Sequence, residues 1–169
     1  RPHDARMWAS LGVCYDRLGR NAQAIECFKR HLTCPLTHLE SVEAIARIIE
    51  LYEQGGDSVH ATMYHCLLVQ VVDRSMAQMD PALMSRFAFS YIIAARWEMG
   101  ELKGRLYYSK EDKRLGRAAQ ASMPTGDMVK AHDYLQKVLL AGTEMTPVAE
   151  ELLIKLGGRK ERGYDDNTT

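Results

Sequence analysis

Four potential metal ligands lie close together in the sequence: Cys27, His31, Cys34 and His38. Their spacing of four, three and four residues would place them near one end of a helix, and thiolate sulfur with imidazole nitrogen is a typical ligand set for structural zinc. Pro35 interrupts that helix, because proline lacks the amide hydrogen that a helix interior needs. Known structural zinc patterns are also less compact. The sequence therefore predicts no metal here, and no cofactor elsewhere in the chain.

No catalytic motif connects the polar residues. The six histidines are scattered, no H-E-x-x-H, G-x-x-x-x-G-K or G-x-S-x-G sequence occurs, and no activating base can be placed beside a cysteine. We therefore expect a protein that is not an enzyme. An accessory domain that binds a metal or a nucleotide is the alternative from another functional class, and metal analysis of the purified chain would reveal it.

Composition excludes two further classes of partner. Basic and acidic side chains balance at 22 each, so no excess of positive charge is available to hold nucleic acid. No run of about 18 apolar residues is present to cross a bilayer. The four cysteines form no C-x-x-C pair, which indicates reduced, buried thiols in a nuclear or cytosolic protein.

The elements that must position these residues are helices, and their apolar spacing near the start matches the tetratricopeptide signature W-x2-L-G-x2-Y…A-x3-F. The residues that fill the signature are Trp8, Leu11, Gly12, Tyr15, Ala24 and Phe28. The three large residues before the turn fall on one stripe of a first helix, and the glycine lets a second helix approach closely. Gly19 and Asn21 supply the turn, so we expect an antiparallel helix pair.

The same spacing recurs further along the chain. Tyr15 and Tyr52 are 37 residues apart, as are Ala24 and Ala61, which predicts a second pair. Tyr91 closes a third copy of the first-helix pattern. The predicted fold is an all-α tetratricopeptide-repeat solenoid of antiparallel hairpins, with about three repeats and a capping helix. Its segments are repeats at 4–36, 38–74 and 80–141, an insertion at 101–126, a final helix at 146–156 and a disordered tail at 157–169.

Two sets of residues complete this prediction. The residues expected to pack between helices are Trp8, Leu11, Gly12, Tyr15, Ala24, Phe28, Tyr52, Ala61 and Tyr91. The residues expected to cap the helices are Asp4, Asn21, Thr37, Asp57, Asp80 and Thr146, because short polar side chains at these places can accept from the first free amides.

The stripe opposite the packing residues predicts a partner-binding surface on the concave inner wall. Its residues are Arg6, Asp16, Glu43, Arg47, Glu50, Glu53, Phe89 and Trp97. Carboxylates near aromatic rings suit a peptide arginine, which can pair with the former and stack on the latter. The alternatives are that the glutamates form an ordinary solvated face and that Trp97 packs in the core.

The opening run from Arg1 to Leu18, R-P-H-D-A-R-M-W-A-S-L-G-V-C-Y-D-R-L, resembles a family of anaphase-promoting complex subunits. That family is subunit eight, or cell division cycle protein twenty-three, whose C-terminal tetratricopeptide region carries R-P-x-D-x-R-M-W followed by a-L-G-x-C-Y. Weaker similarity follows at residues 51–54 and 88–91. The segment 101–126 departs from the family pattern.

The resemblance implies a non-catalytic scaffold subunit of a ubiquitin ligase that acts in mitosis, in the nucleus and cytoplasm. Such subunits stack against sister tetratricopeptide subunits and help to bind the activator, whose basic-aromatic box docks in the concave groove. Family members form homodimers through N-terminal repeats; we expect this chain, which begins with arginine, to be an excised piece that lacks them. The alternative is a peptide-binding co-chaperone or adaptor, which would need Lys, Arg and Asn where this stripe is rich in Glu.

Overall fold

A computed structural model describes residues 4–75, 81–102 and 125–166 of the chain. Asp80 and most of the predicted insertion lie outside these residues. The described residues form seven α-helices and no strand. The helices are α1 (Ala5–Arg17), α2 (Asn21–Leu32), α3 (His38–Gln54), α4 (Ser58–Ser75), α5 (Pro81–Glu98), α6 (Met128–Ala141) and α7 (Thr146–Asp166). None of them is long and apolar enough to cross a membrane.

Helix starts follow the capping chemistry of the sequence with two exceptions, Asn21 and Thr146. The Asp4 carboxylate accepts from the amides of Arg6 and Met7, and the Thr37 hydroxyl accepts from the amide of Glu40 in a capping box. The Asp57 carboxylate accepts from the amide of His60. Asn21 was predicted as a cap but is the first residue of α2; the N-cap position belongs to Arg20, which makes no side-chain capping bond. Thr146 was predicted as a cap but is the first residue of α7, and its hydroxyl donates to the carbonyl of Thr143.

The described residues divide into two compact units. The first unit holds α1 to α4, in which each helix packs against the next along the chain. Its core includes the fully buried side chains of Ile48, Leu51 and Val69, together with Ala24 and Ala61. Consecutive packing of antiparallel helices is the arrangement of a helical repeat.

The second unit holds α5, α6 and α7, with α5 paired to α6 and α6 to α7. Tyr91 on α5 and Tyr134 on α6 meet edge to face, with ring centroids 5.6 Å apart. Both are at most 3% exposed, and such aromatic pairs add to the stabilisation that burial alone provides. Leu135 and Val138 complete the α6 side of this core.

The end of the chain departs from the prediction. The last helix was expected to stop at 156 before a disordered tail, yet α7 continues through Gly157 and Gly158 to Asp166. A glycine inside a helix costs about 1 kcal/mol relative to alanine, a cost that neighbouring residues of high helix propensity can offset. Here the four residues that follow Gly158 are Arg, Lys, Glu and Arg, which have that propensity.

Candidate functional site

Three of the predicted partner-binding residues meet between α1 and α3. The guanidinium of Arg47 pairs with the carboxylate of Asp16 on α1, and its Nη1 lies 2.7 Å from Oε2 of Glu50, one turn along α3. The Asp16 side chain is 13% exposed, whereas those of Arg47 and Glu50 are 42% and 53% exposed. This Asp16–Arg47–Glu50 cluster carries one positive and two negative charges, so it presents a net negative charge on an accessible surface.

Glu53, one turn further along α3, is directed to a different partner. Its Oε1 lies 2.8 Å from Nε2 of His65 on α4. The His65 side chain is 8% exposed, and its burial lowers the pKa of the imidazole below the ordinary value of 6.5, because a charged ring is poorly solvated there. The hydrogen bond that the ring makes to the Glu53 carboxylate opposes that shift. Glu53 therefore joins α3 to α4, although its side chain is still 49% exposed.

The other predicted binding residues lie on α1, α3 and α5. Arg6 and Glu43 are exposed on α1 and α3. Phe89 and Trp97 belong to the second unit, where Phe89 is 49% exposed and Trp97 only 5% exposed. The indole Nε1 of Trp97 is buried without a hydrogen-bond partner in the described part of the chain. The burial of Trp97 agrees with the alternative that it packs in the core.

The predicted packing residues differ in how far they are buried. Ala24, Phe28, Tyr52, Ala61 and Tyr91 are at most 8% exposed. Gly12 faces the Phe28 ring so closely that a β-carbon on it would lie 2.8 Å from the ring Cζ. Glycine is thus required for this approach of α1 and α2 unless the ring moves.

The remaining packing residues lie on α1 and are less buried than the prediction requires. Trp8 and Tyr15 are half-buried, and the guanidinium of Arg30 lies 5.0 Å from the Trp8 ring centroid. Leu11 departs from the prediction, because it is 39% exposed and does not lie in the core. In the described residues α1 packs mainly on α2, so its far side has no helix to cover it.

The cysteine and histidine residues that resembled a ligand set are engaged separately. The Nδ1 of His31 lies 2.8 Å from the carbonyl oxygen of Ala5, and the Cys34 thiol donates to the carbonyl of Arg30. Burial raises the pKa of the Cys27 thiol, which disfavours the thiolate that binds metal or attacks as a nucleophile. No group of three candidate ligands occurs among the described residues.

All four cysteines are free thiols, but the prediction that they are buried fails for Cys14. Cys27, Cys34 and Cys66 are buried, whereas Cys14 lies exposed on α1. Gly12 faces Phe28 of α2, and Cys14 lies two residues further along α1, so helical geometry places Cys14 on the opposite side of α1.

A cleft between α2 and the end of α3 was not predicted from the sequence. The cleft has a volume of about 370 Å³ and is lined by Ile25 and Lys29 on one side and Leu51 and Tyr52 on the other. The Lys29 ammonium lies 5.4 Å from the centroid of Tyr52 and 5.7 Å from that of Tyr64, and the residue is 8% exposed. The one feature of the sequence that could have indicated this cleft is Lys29, a charged residue next to Phe28 in the apolar stripe of α2.

No protein-family model matches the chain, and no curated protein or solved structure matches it.

Proposed function

We propose that the chain is a non-catalytic scaffold built of tetratricopeptide repeats. The observation that carries this proposal is the close approach of Gly12 to Phe28 within an antiparallel helix pair. A β-carbon placed on Gly12 would lie 2.8 Å from the Phe28 ring. The tetratricopeptide signature places a small and a large residue at these two positions. Support also comes from the second pair, in which Ala61 is as buried as Ala24.

The scaffold acts, in this proposal, in the anaphase-promoting complex, as a subunit that stacks on sister tetratricopeptide subunits and helps to receive the activator. The run R-P-H-D-A-R-M-W with L-G-V-C-Y supports the assignment to that ligase. The binding surface is the side of α1 and α3 that carries the Asp16–Arg47–Glu50 cluster and the exposed Glu43. Its net negative charge fits the basic residues of an activator segment.

A binding titration tests the proposal. A fluorescent peptide with the activator's alternating basic and aromatic residues is titrated with the purified chain at low salt. Replacing both Glu43 and Glu50 by lysine is expected to weaken binding by at least about tenfold, because each lost charge-assisted contact is worth about 1.5 to 3 kcal/mol when desolvated. Raising the salt concentration should weaken binding to the parent chain as well.

The control is a charge reversal on another surface. Glu150→Lys, at an exposed position of α7, changes net charge by two units and should leave the affinity unchanged. Equal affinity for the parent and the Glu43/Glu50 variant would exclude this surface. Affinity for an acidic peptide with a free C-terminal carboxylate, greater than for the basic peptide, would favour the co-chaperone or adaptor alternative instead.

Association with the ligase is tested by reconstitution. The purified chain is mixed with the purified sister subunits and analysed by size-exclusion chromatography. Co-elution with at least one of them is expected. Separate elution from every sister subunit would contradict the ligase assignment, while the fold proposal would still rest on the helix packing.

A further inference from the structure

The first helix of each pair ends in the same way. Gly19, Gly56 and Gly100 all have positive φ, between +72° and +75°, which glycine adopts without strain. The residue after each glycine donates its amide to a carbonyl five residues earlier: Arg20 to Tyr15, Asp57 to Tyr52 and Glu101 to Arg96, at 2.9 to 3.0 Å. These bonds form a Schellman-type helix end in all three places.

In the second helix of each pair, a buried alanine lies five residues after a glycine of positive φ. In the third pair, however, this glycine is not the one that ends the first helix. Ala24 and Ala61 lie five residues after Gly19 and Gly56, and both are buried. In α6 the equivalent buried alanine is Ala131, which lies five residues after Gly126 and not after Gly100. Gly126 has φ +71°.

The third turn therefore has two halves. Gly56 is followed at once by Asp57, which caps α4. In the third pair the first half ends at Gly100, and the second half, Gly126 followed by Asp127, caps α6 through the amide of Lys130. Joining Gly100 to Asp127 would recreate the order found at Gly56 and Asp57.

One buried carboxylate connects the two halves. Glu98, at the end of α5, is 5% exposed, and its Oε2 accepts from the amides of Thr125 and Asp127, both at 3.0 Å, and from the Thr125 hydroxyl at 3.2 Å. These donors offset the cost of burying the charge, and the nearby N-terminus of α6 favours a negative group. The equivalent residues of the other pairs, Arg17 and Gln54, are exposed.

We propose that the segment 101–126 is inserted into an ordinary repeat turn. In such a turn a direct Gly–Asp bond would hold the start of the second helix beside the end of the first. Here Glu98 does this instead, by holding Thr125 and Asp127 at the end of α5. The insertion is then not needed for the pairing of α5 with α6. This proposal is independent of the proposed function.

A double-mutant cycle tests the role of Glu98 in the full chain. Glu98→Gln keeps the shape but removes the charge, and it should lower the melting temperature by about 4 to 8 °C. In a second chain, residues 101–126 are deleted so that Gly100 joins Asp127; this chain should keep its helical circular dichroism and a melting temperature within about 3 °C of the parent. There Glu98→Gln should have an effect of less than about 2 °C, since the carboxylate no longer closes a junction.

The outcomes separate clearly. An equal loss from Glu98→Gln in both chains, or no loss in the parent, would overturn the role of Glu98. Loss of helical signal on deletion would overturn the proposal that Gly100 and Asp127 belong to one turn.

Replacing 103–124 by a glycine-serine segment of equal length gives a second test, because it retains Glu98, Thr125 and Asp127. The melting temperature should stay within about 3 °C of the parent, and a larger fall would show that the segment is part of the fold. Glu151→Gln, exposed on α7, is the matched control and should change nothing.

Discussion

The hairpins α1–α2 and α3–α4 have the same turns but fill the space between their helices with different chemistry. In the first, the Phe28 ring occupies the space that a β-carbon on Gly12 would need. Thirty-seven residues later, the same two positions hold Ile49 and His65. His65 is as buried as Phe28, but it hydrogen-bonds to Glu53. The interface of a hairpin can therefore be filled by a glycine and a phenylalanine, as at Gly12 and Phe28. It can also be filled by an isoleucine and a hydrogen-bonded histidine, as at Ile49 and His65.

The two hairpins also differ in how fully their first helix is covered. α3 lies between α2 and α4, and its positions equivalent to Trp8, Leu11 and Cys14 hold Ile45, Ile48 and Leu51, all at most 2% exposed. In α1 the same positions are half-buried or exposed. The difference follows from the number of neighbouring helices in the described residues, since the residue types are apolar in both.

The largest expected effect in this comparison is the loss of the Phe28 ring. Phe28→Ala should lower the free energy of unfolding by about 3 to 5 kcal/mol, because it removes a buried ring that Gly12 cannot replace. Urea unfolding followed by circular dichroism measures the change. The exposed Gln23→Ala, on the same helix, should have almost no effect. Similar stability of the two variants would show that the Gly12–Phe28 contact does not hold α1 to α2.

Trp8→Ala should have a smaller effect than its size suggests. The residue is half-buried, so we expect a loss of about 1 to 3 kcal/mol, and not the larger loss typical of a core tryptophan. Ile45→Ala, at the equivalent but buried position of α3, should cost about 2 to 5 kcal/mol. A greater loss for Trp8 than for Ile45 would contradict the difference in coverage between the two helices.

The polar interface of the second hairpin should make stability depend on pH. Because the pKa of His65 is lowered in the folded chain, the unfolded chain binds more protons as pH falls below about 6.5. The contribution of His65 is therefore complete above that pH and decreases as pH falls from it toward the folded pKa. Urea midpoints measured between pH 8 and pH 5 should fall more in the parent than in His65→Gln. Parallel pH profiles for the two chains would contradict this assignment.

The smallest effect should come from the ion pairs of the Asp16–Arg47–Glu50 cluster. Arg47→Ala should cost about 0.5 to 1 kcal/mol, because the arginine and Glu50 are largely solvated while Asp16 is less so. Added salt should reduce the difference between the variant and the parent. A loss above about 2 kcal/mol that salt does not alter would indicate that Arg47 acts through packing.

Most of the helical framework could be read from the sequence. The caps at Asp4, Thr37 and Asp57 act as predicted, because each depends only on residues two to three positions away. The start of α2 was misplaced by one residue, since a turn closed by Gly19 leaves no room for Asn21 to precede the helix. The extent of α7 was underestimated because two glycines were given more weight than the helix-forming residues after them.

The candidate site was less predictable. Periodicity placed Asp16, Arg47 and Glu50 on one side of their helices, yet it could not tell that Arg47 pairs with both acids or that Glu53 is directed to His65. The same reasoning could not choose between the two environments weighed for Trp97, because an aromatic residue at a helix end suits either one. Partners 12 or 31 residues apart are set by helix packing, which local spacing does not report.

The amino-acid sequence by itself determined that the described chain is helical, where most helices begin and which residues repeat at 37-residue spacing. These features depend on backbone dihedral preferences and on hydrogen bonds within a few residues. The tertiary structure alone decided that Leu11 is exposed while Ile48 is buried, that His65 meets Glu53, and that Glu98 joins the two halves of an interrupted turn. Each of these depends on which helix lies beside which, and so on contacts between residues far apart in the chain.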